Sequence, residues 1–216
     1  MSKTIIDDGF ASYLVEGAKF VGKYQIPELS KHDTFIVPHD MIPFDKRNCV
    51  IDKDLAVNFY MHDKMFKQIL TATKKYIGEL SQFKCVISPD CSLYRDMPLC
   101  IQIINTYLNR AVAYYMQKQG IYVIPNIRWG DERSFEFCFD GVPKNDIVCI
   151  STYGCIQGCE NKYYFKVGLR RMIQVLNPKI VLIYGSMPDS IFSEFSTLTR
   201  FVHYESYLSK IKGGNK

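Results

Sequence analysis

Two groups of carboxylates stand where apolar runs end, and they set the chemical reading of this chain. Asp90 and Asp96 lie in Ser88-Pro89-Asp90-Cys91-Ser92-Leu93-Tyr94-Arg95-Asp96. Asp131, Glu132, Glu136 and Asp140 form the second group. Carboxylates from different strand ends can converge as general acid and base, or hold a divalent cation through hard oxygen ligands. Asp90, Asp96, Asp131 and Glu132 are therefore the candidate catalytic residues. Arg95, Arg110 and Arg128 are available as partners, and a guanidinium also binds phosphate bidentately. Trp129, the only tryptophan, offers a ring for stacking on a base or sugar. Ser151, Thr152 and Ser186 follow apolar runs and can donate hydrogen bonds. Tyr94, Asn105, Asn126 and Asp140 complete the candidate ligand-binding set.

Each of these residues also has a structural reading. Asp96 is placed to cap a helix beginning near Met97, and Asp140 before Gly141 fits a turn. Asp90 is harder to set aside, because a carboxylate ending a buried strand is costly without a partner. A structural Asp–Arg network accounts for it as well as a catalytic one does. Trp129 can equally be a packing residue.

Several chemistries find no support. The histidines are His32, His39, His62 and His203, all outside the strongest segments, whereas serine nucleophile catalysis needs a poised histidine. Tyr184-Gly185-Ser186 lacks the spacing of a nucleophile elbow or Walker loop. Cys155 and Cys159 form one pair, and a zinc site generally needs two. No metal ligand set is assigned, and a divalent ion held by carboxylates stays open as a cofactor.

The elements that must position these groups alternate along the chain. Strand-like runs are Phe83 to Ile87, Ile121 to Ile124, Ile147 to Ile150, Ile180 to Tyr184 and Phe201 to Tyr204. A helix from Asp96 or Met97 carries Leu99, Ile103, Tyr107, Val112 and Met116 at near-helical spacing until Gly120. Others run from about Asn161 to Leu176 and Asp189 to Phe195. Upstream, Phe35 to Val37 and Ala56 to Tyr60 read as strands and Met65 to Leu80 as an amphipathic helix. The expectation is an α/β fold of sequential βα units with a mainly parallel sheet. A small or incomplete TIM-like barrel is favoured over an open doubly wound sheet. Either way, ligands belong at the carboxyl ends of the strands.

Composition narrows the class. The 216 residues, 47% hydrophobic and 23% charged, suffice for one core. The organisation expected is an N-terminal extension at 1–25, one α/β domain at 26–206 and a flexible basic tail at 207–216. No apolar stretch approaches the roughly 20 residues needed to cross a bilayer, and Met1 to Asp8 lacks a signal-peptide core. A soluble, cytoplasmic protein with no membrane partner is expected. The cysteines are expected as free thiols, with Cys85, Cys100, Cys138 and Cys149 in apolar patterns. The net charge of +5 permits a polyanionic partner without requiring one.

These segments also carry a resemblance. Ser88 through Pro98, Ile104-Asn105-Thr106-Tyr107-Leu108-Asn109-Arg110, Val123 through Ser134, Phe137-Cys138-Phe139-Asp140-Gly141 and Tyr184-Gly185-Ser186 resemble the ordered blocks of a bacterial and phage family catalogued as domain of unknown function 4417. Ile42-Pro43-Phe44 and the Asn58 to Phe66 region fit as well, so the resemblance covers roughly Pro27 to Tyr204. Cys91 stands where the family pattern has an aromatic residue. The resemblance implies a passenger of phages and other mobile elements, with nucleotide or nucleic-acid business, and it names no catalytic residue.

The first functional expectation is thus an enzyme acting on a phosphate-containing ligand, a nucleotide or a nucleic acid. The alternative is a non-catalytic nucleotide- or DNA-binding module, replication-associated or ligand-sequestering. A third is a host-interaction protein using exposed aromatics, which 15 tyrosines and 14 phenylalanines permit.

Overall fold

In the computed structural model, residues 11–213 are described, and the readings made for 1–10 and 214–216 lie outside them. After a 3₁₀ turn at Ser12–Val15, a short antiparallel hairpin pairs β1 (Phe20–Val21) with β2 (Ile26–Pro27). A four-stranded parallel sheet follows: β3 (Met41–Pro43), β4 (Ala56–Asn58), β5 (Cys85–Ile87) and β6 (Val123–Ile124), paired in that order. A three-stranded parallel sheet takes β7 (Ile147–Ser151), β8 (Ile180–Tyr184) and β9 (Arg200–Tyr204). The two sheets meet at a parallel bridge between Asn126 and Cys149. There the Cys149 amide donates to the Pro125 carbonyl at 2.8 Å, and the Ile127 amide to the Cys149 carbonyl at 2.9 Å. The α/β class and the sequential parallel order are therefore as expected.

Every residue of β7 and β8 is buried, which explains why these strands read as unbroken apolar runs. Successive side chains point to opposite faces. Val148, Ile150, Val181 and Ile183 pack toward the helices beside β7 and β8, and Val57 and Val86 do the same in the first sheet. The alternate positions form one shared cluster that takes Met41, Ala56, Cys85, Ile124, Cys149, Leu182 and Tyr204, a side chain from each of the parallel strands. Among the described residues no ladder joins β9 to β3. Tyr204 Oη instead donates to the Pro38 carbonyl at 2.6 Å, tying the end of β9 to the chain ahead of β3.

The helices are α1 (Asp63–Thr71), α2 (Ile77–Leu80), α3 (Leu99–Lys118), α4 (Gly158–Leu176), α5 (Asp189–Phe192) and α6 (Tyr207–Gly213). The single helix read over Met65 to Leu80 is broken: it begins at Asp63, leaves helical geometry at Ala72, and resumes through a 3₁₀ turn at Thr73–Tyr76. Thr73 is buried and its hydroxyl donates to the Ile69 carbonyl at 2.6 Å, which favours the break over a continuous ladder. The helix read from Asp96 begins instead at Leu99, after Pro98 in the N-cap position and with no side-chain cap. Gly120, at φ 82°, ends it. The polar tail read after β9 runs as α6 through Gly213. None of the described helices is long and apolar enough to cross a membrane.

The strand read at Phe35 to Val37 does not form. Residues 30–38 make an irregular strap whose backbone is held by side chains, which removes the need for a ladder. The Gln117 amide brackets Ser30, accepting from its N–H at 2.9 Å and donating to its carbonyl at 3.1 Å. Asp146 accepts the His32 amide at 3.0 Å and lies 3.0 Å from His32 Nδ1. Tyr122 Oη donates to the Thr34 carbonyl at 2.9 Å and accepts from the Ile36 amide at 3.0 Å. All eight cysteines are free thiols, and Cys100, read as part of an apolar pattern, is exposed.

Candidate functional site

The carboxyl ends of β4 to β7 bring a polar network together beneath a cleft. Ser88 Oγ, just past β5, donates to Asn109 Oδ1 at 3.1 Å and accepts the Asn126 amide at 2.8 Å. Asn126 passes the network on. Its Nδ2 donates to Asp90 Oδ1 at 2.8 Å, and its Oδ1 accepts from the Tyr60 hydroxyl at 3.0 Å. Asp90 Oδ2 lies 3.4 Å from Arg128 Nη1, which also reaches Cys155 Sγ at 3.0 Å. Of the three arginines read as partners for Asp90, Arg128 is the one that meets it.

Burial raises the Asp90 carboxyl above its ordinary range, and Arg128 and the Asn126 amide offset only part of that. Burial opposes the charge on Arg128 too, but Asp90, Cys155 and Tyr94 hold its guanidinium above the usual value. Tyr60 is driven far up by burial. Asp63, the first residue of α1, fixes the segment from outside, accepting from the Ser92 amide at 3.1 Å and the Ser92 hydroxyl at 2.7 Å. Asn105 on α3 donates to the Ser92 carbonyl at 2.6 Å.

The cleft itself encloses about 200 Å³. Tyr94 and Arg95 come from the segment after β5, Arg128 and Trp129 from that after β6, Ser151 from the last position of β7 and Cys155 from the segment after it. The first turns of α4 contribute Asn161, Tyr164 and Phe165, which sequence reasoning did not single out. Arg95 spans toward that helix: Nη1 meets Glu160 Oε1 at 2.6 Å, Nη2 meets Asn161 Oδ1 at 3.0 Å, and the guanidinium lies 4.3 Å from the Tyr164 ring centre. Trp129 is buried, tilted against Phe165 at 5.2 Å between centroids. A Cβ on Gly168 would fall 2.1 Å from its Nε1, so only glycine lets α4 approach the indole.

The remaining sequence candidates lie elsewhere or face inward. Arg110 is fully buried and surrounded by oxygens: Asn109 Oδ1 at 2.5 Å and the carbonyls of Asn126, Cys138 and Asp140 at 3.2, 2.9 and 3.1 Å. Burial pushes its pKa down to about 10. It clamps α3 to the end of β6 and to the Cys138–Asp140 turn. Asp96 is exposed and caps nothing, because Pro98 occupies the cap position. Asp131 caps the 3₁₀ turn Glu132–Glu136 through the Arg133 amide at 3.1 Å, and pairs with the Arg133 guanidinium at 2.8 Å. That pairing lowers its pKa. Glu132 is exposed. Asp140 sits in the turn before Gly141, its Oδ2 buried without a hydrogen-bond partner. Ser151 Oγ and Thr152 Oγ1 donate to the carbonyls of Tyr184 and Ser186, at 3.2 and 2.6 Å, and the Ser186 side chain faces solvent.

Among the described residues no group of three or more His, Cys, Asp or Glu side chains is arranged to hold a metal ion. Chemically, the cleft offers guanidinium donors and the exposed ring of Tyr94, with one buried carboxyl of raised proton affinity behind Arg128.

Comparison with known proteins places the chain. It is 30% identical over 167 residues to the "Gene 1 protein" of Mycobacterium phage L5, covering 76% of this chain and 72% of that one. It is 29% identical over 167 residues to the "Gene 1 protein" of Mycobacterium phage D29, covering 76% of this chain and 61% of that protein's length. No solved structure matches it. The profile described as "Domain of unknown function (DUF4417)" matches residues 18–205, and the chain belongs to that family.

Proposed function

We propose that this phage-type protein binds a phosphate-containing ligand, a nucleotide or the end of a nucleic acid, in the cleft at the carboxyl ends of its parallel strands. The observation that carries this reading is the convergence of two guanidiniums, Arg95 and Arg128, with the rings of Tyr94, Trp129 and Tyr164 around one cavity. Guanidiniums suit phosphate geometry, and ring faces accept any base. The cavity volume of about 200 Å³ suits a small ligand better than a long backbone.

Turnover would make Asp90 the acid or base, because a buried carboxyl of raised proton affinity at a strand end is the kind of group such chemistry uses. A binding module without turnover is favoured by a second observation. Asp90 has both oxygens engaged, by Asn126 and Arg128, and the Ser151 and Thr152 hydroxyls are directed at backbone carbonyls. We place the protein in the cytoplasm, where such ligands are found.

Titration calorimetry with adenosine 5′-monophosphate, deoxynucleotides and inorganic phosphate tests the reading. Saturable binding is expected, weakened about tenfold by Arg95→Ala. Kd values above about 1 mM for every phosphate-bearing probe, in the wild type and in Glu160→Ala alike, would sink it. Asp90→Asn separates the two forms: loss of turnover marks a catalytic Asp90, whereas a binding module shows no turnover to lose.

A further inference from the structure

The two cleft arginines are held in different ways. Arg128 is paired with a carboxylate whose side chain is only 11% exposed, and that carboxylate has a second anchor in Asn126. Drawing Asp90 away from it would leave a charge uncompensated in a buried place, which is strongly unfavourable. Arg95 is paired with Glu160, whose side chain is 72% exposed. Exposed ion pairs are weak, since water replaces either partner readily. Glu160 also lies in the first turn of α4, where a negative charge is favourable with or without Arg95. Releasing Glu160 therefore costs little, and it leaves the Arg95 guanidinium backed by Tyr164 and Asn161 and free to take another anion.

We propose that the Glu160 carboxylate marks the phosphate subsite of the cleft, occupying Arg95 in the unliganded chain and giving way to the ligand's phosphate, while Arg128 keeps Asp90 throughout. This inference rests on the phosphate-binding reading of the cleft. Glu160 is then an internal competitor: every phosphate that binds must displace it, so the affinity of the wild-type chain is lower than Arg95 would otherwise give. A carboxylate and a phosphate oxygen make the same kind of contact with a guanidinium, but a terminal phosphate carries about −1.5 to −2 charge at pH 7. That difference drives the exchange toward the ligand.

Calorimetric titration of the full chain with adenosine 5′-monophosphate, and with adenosine as the phosphate-free control, tests it. Glu160→Ala is expected to tighten binding of the monophosphate about two- to fivefold, the worth of an exposed ion pair. Adenosine binding is expected to stay unchanged. In an Arg95→Ala background the same substitution should give no gain, because the two effects are coupled through one contact. Glu194→Gln, which removes a charge paired with Lys166 and Arg170 farther along α4, should shift affinity less than about twofold. A wild-type chain that binds the monophosphate as tightly as Glu160→Ala overturns this inference and leaves the cleft reading standing. So does a gain that survives in the Arg95→Ala background. Failure of both wild type and Glu160→Ala to bind any phosphate-bearing probe removes the cleft reading itself, and this inference with it. Binding by Glu160→Ala alone supports both.

Discussion

Asp140 shows how one residue can make stability depend on pH. Its Oδ2 is enclosed without a donor, and a Cβ on Gly22 would fall 1.9 Å from that oxygen. Burial raises its pKa above the ordinary 3.8, with Arg110 offsetting only part of the effect. A carboxyl raised in the folded state stabilises fully below its unfolded value, and that contribution is lost as pH rises through the folded value. Asp140→Asn, which is neutral at every pH, should therefore be more stable than wild type at pH 7. The advantage should shrink to nothing as pH falls below about 3.8. Urea denaturation of both chains from pH 3 to 8 measures the difference. That the ends of β5 and β6 come together was readable from sequence, and Asp90, Asn126 and Arg128 meet there. Glu160, Asn161 and Tyr164 were not readable, because polar and aromatic residues in a helix's first turns also fit a solvated face. Asp63 was hidden in the same way.

At the level of elements, α4 and the segment after β6 meet through a missing side chain. Gly168 admits Trp129 against the helix, with its own would-be Cβ 2.1 Å from the indole nitrogen. Gly168→Ala must push the ring or the helix away, and overpacking of this kind costs about 1–3 kcal/mol. As the only tryptophan, Trp129 reports the shift directly: a changed emission maximum is expected together with a lower urea midpoint. Nothing in the sequence pointed to this glycine, whose role depends on a residue 39 positions earlier (168 against 129). The strands β7 and β8 were plain, since residues buried on both faces must be apolar throughout. Phe35 to Val37 has the same composition, yet Tyr122, Asp146 and Gln117 satisfy the backbone of the surrounding strap. Local composition carries no trace of those distant partners.

At the scale of the molecule, two parallel sheets joined, among the described residues, by the Asn126–Cys149 bridge raise the question of whether they unfold together. The helix-facing clusters are separate, one on β3 to β6 and one on β7 and β8. The third cluster draws a side chain from every parallel strand, so opening either sheet alone would expose it. We expect one cooperative transition, with Trp129 fluorescence, which reports on the second sheet, coinciding with far-ultraviolet circular dichroism in urea. Transitions separated beyond experimental error would show two independent units. The parallel order was legible from the alternation of strand and helix signals. The β6–β7 bridge was not, because it is made of backbone groups at Pro125, Ile127 and Cys149.

The connection from β6 to β7 contains no α-helix, only the 3₁₀ turn Glu132–Glu136. Its own residues Ile127, Trp129, Phe137 and Phe139 are buried against β7 and α4 instead. The same stretch furnishes part of the cleft, so this side of the pocket doubles as the roof of the core. An inserted or deleted residue there would carry several buried rings out of place at once. The tip of the β3–β4 connection is under no such constraint: Ile51 is 99% exposed, and extra residues at such a tip are readily absorbed. Loop growth, the usual way an α/β scaffold acquires a new specificity, is thus closed to this side of the pocket, and any divergence there must come through exchange of side chains at fixed chain length.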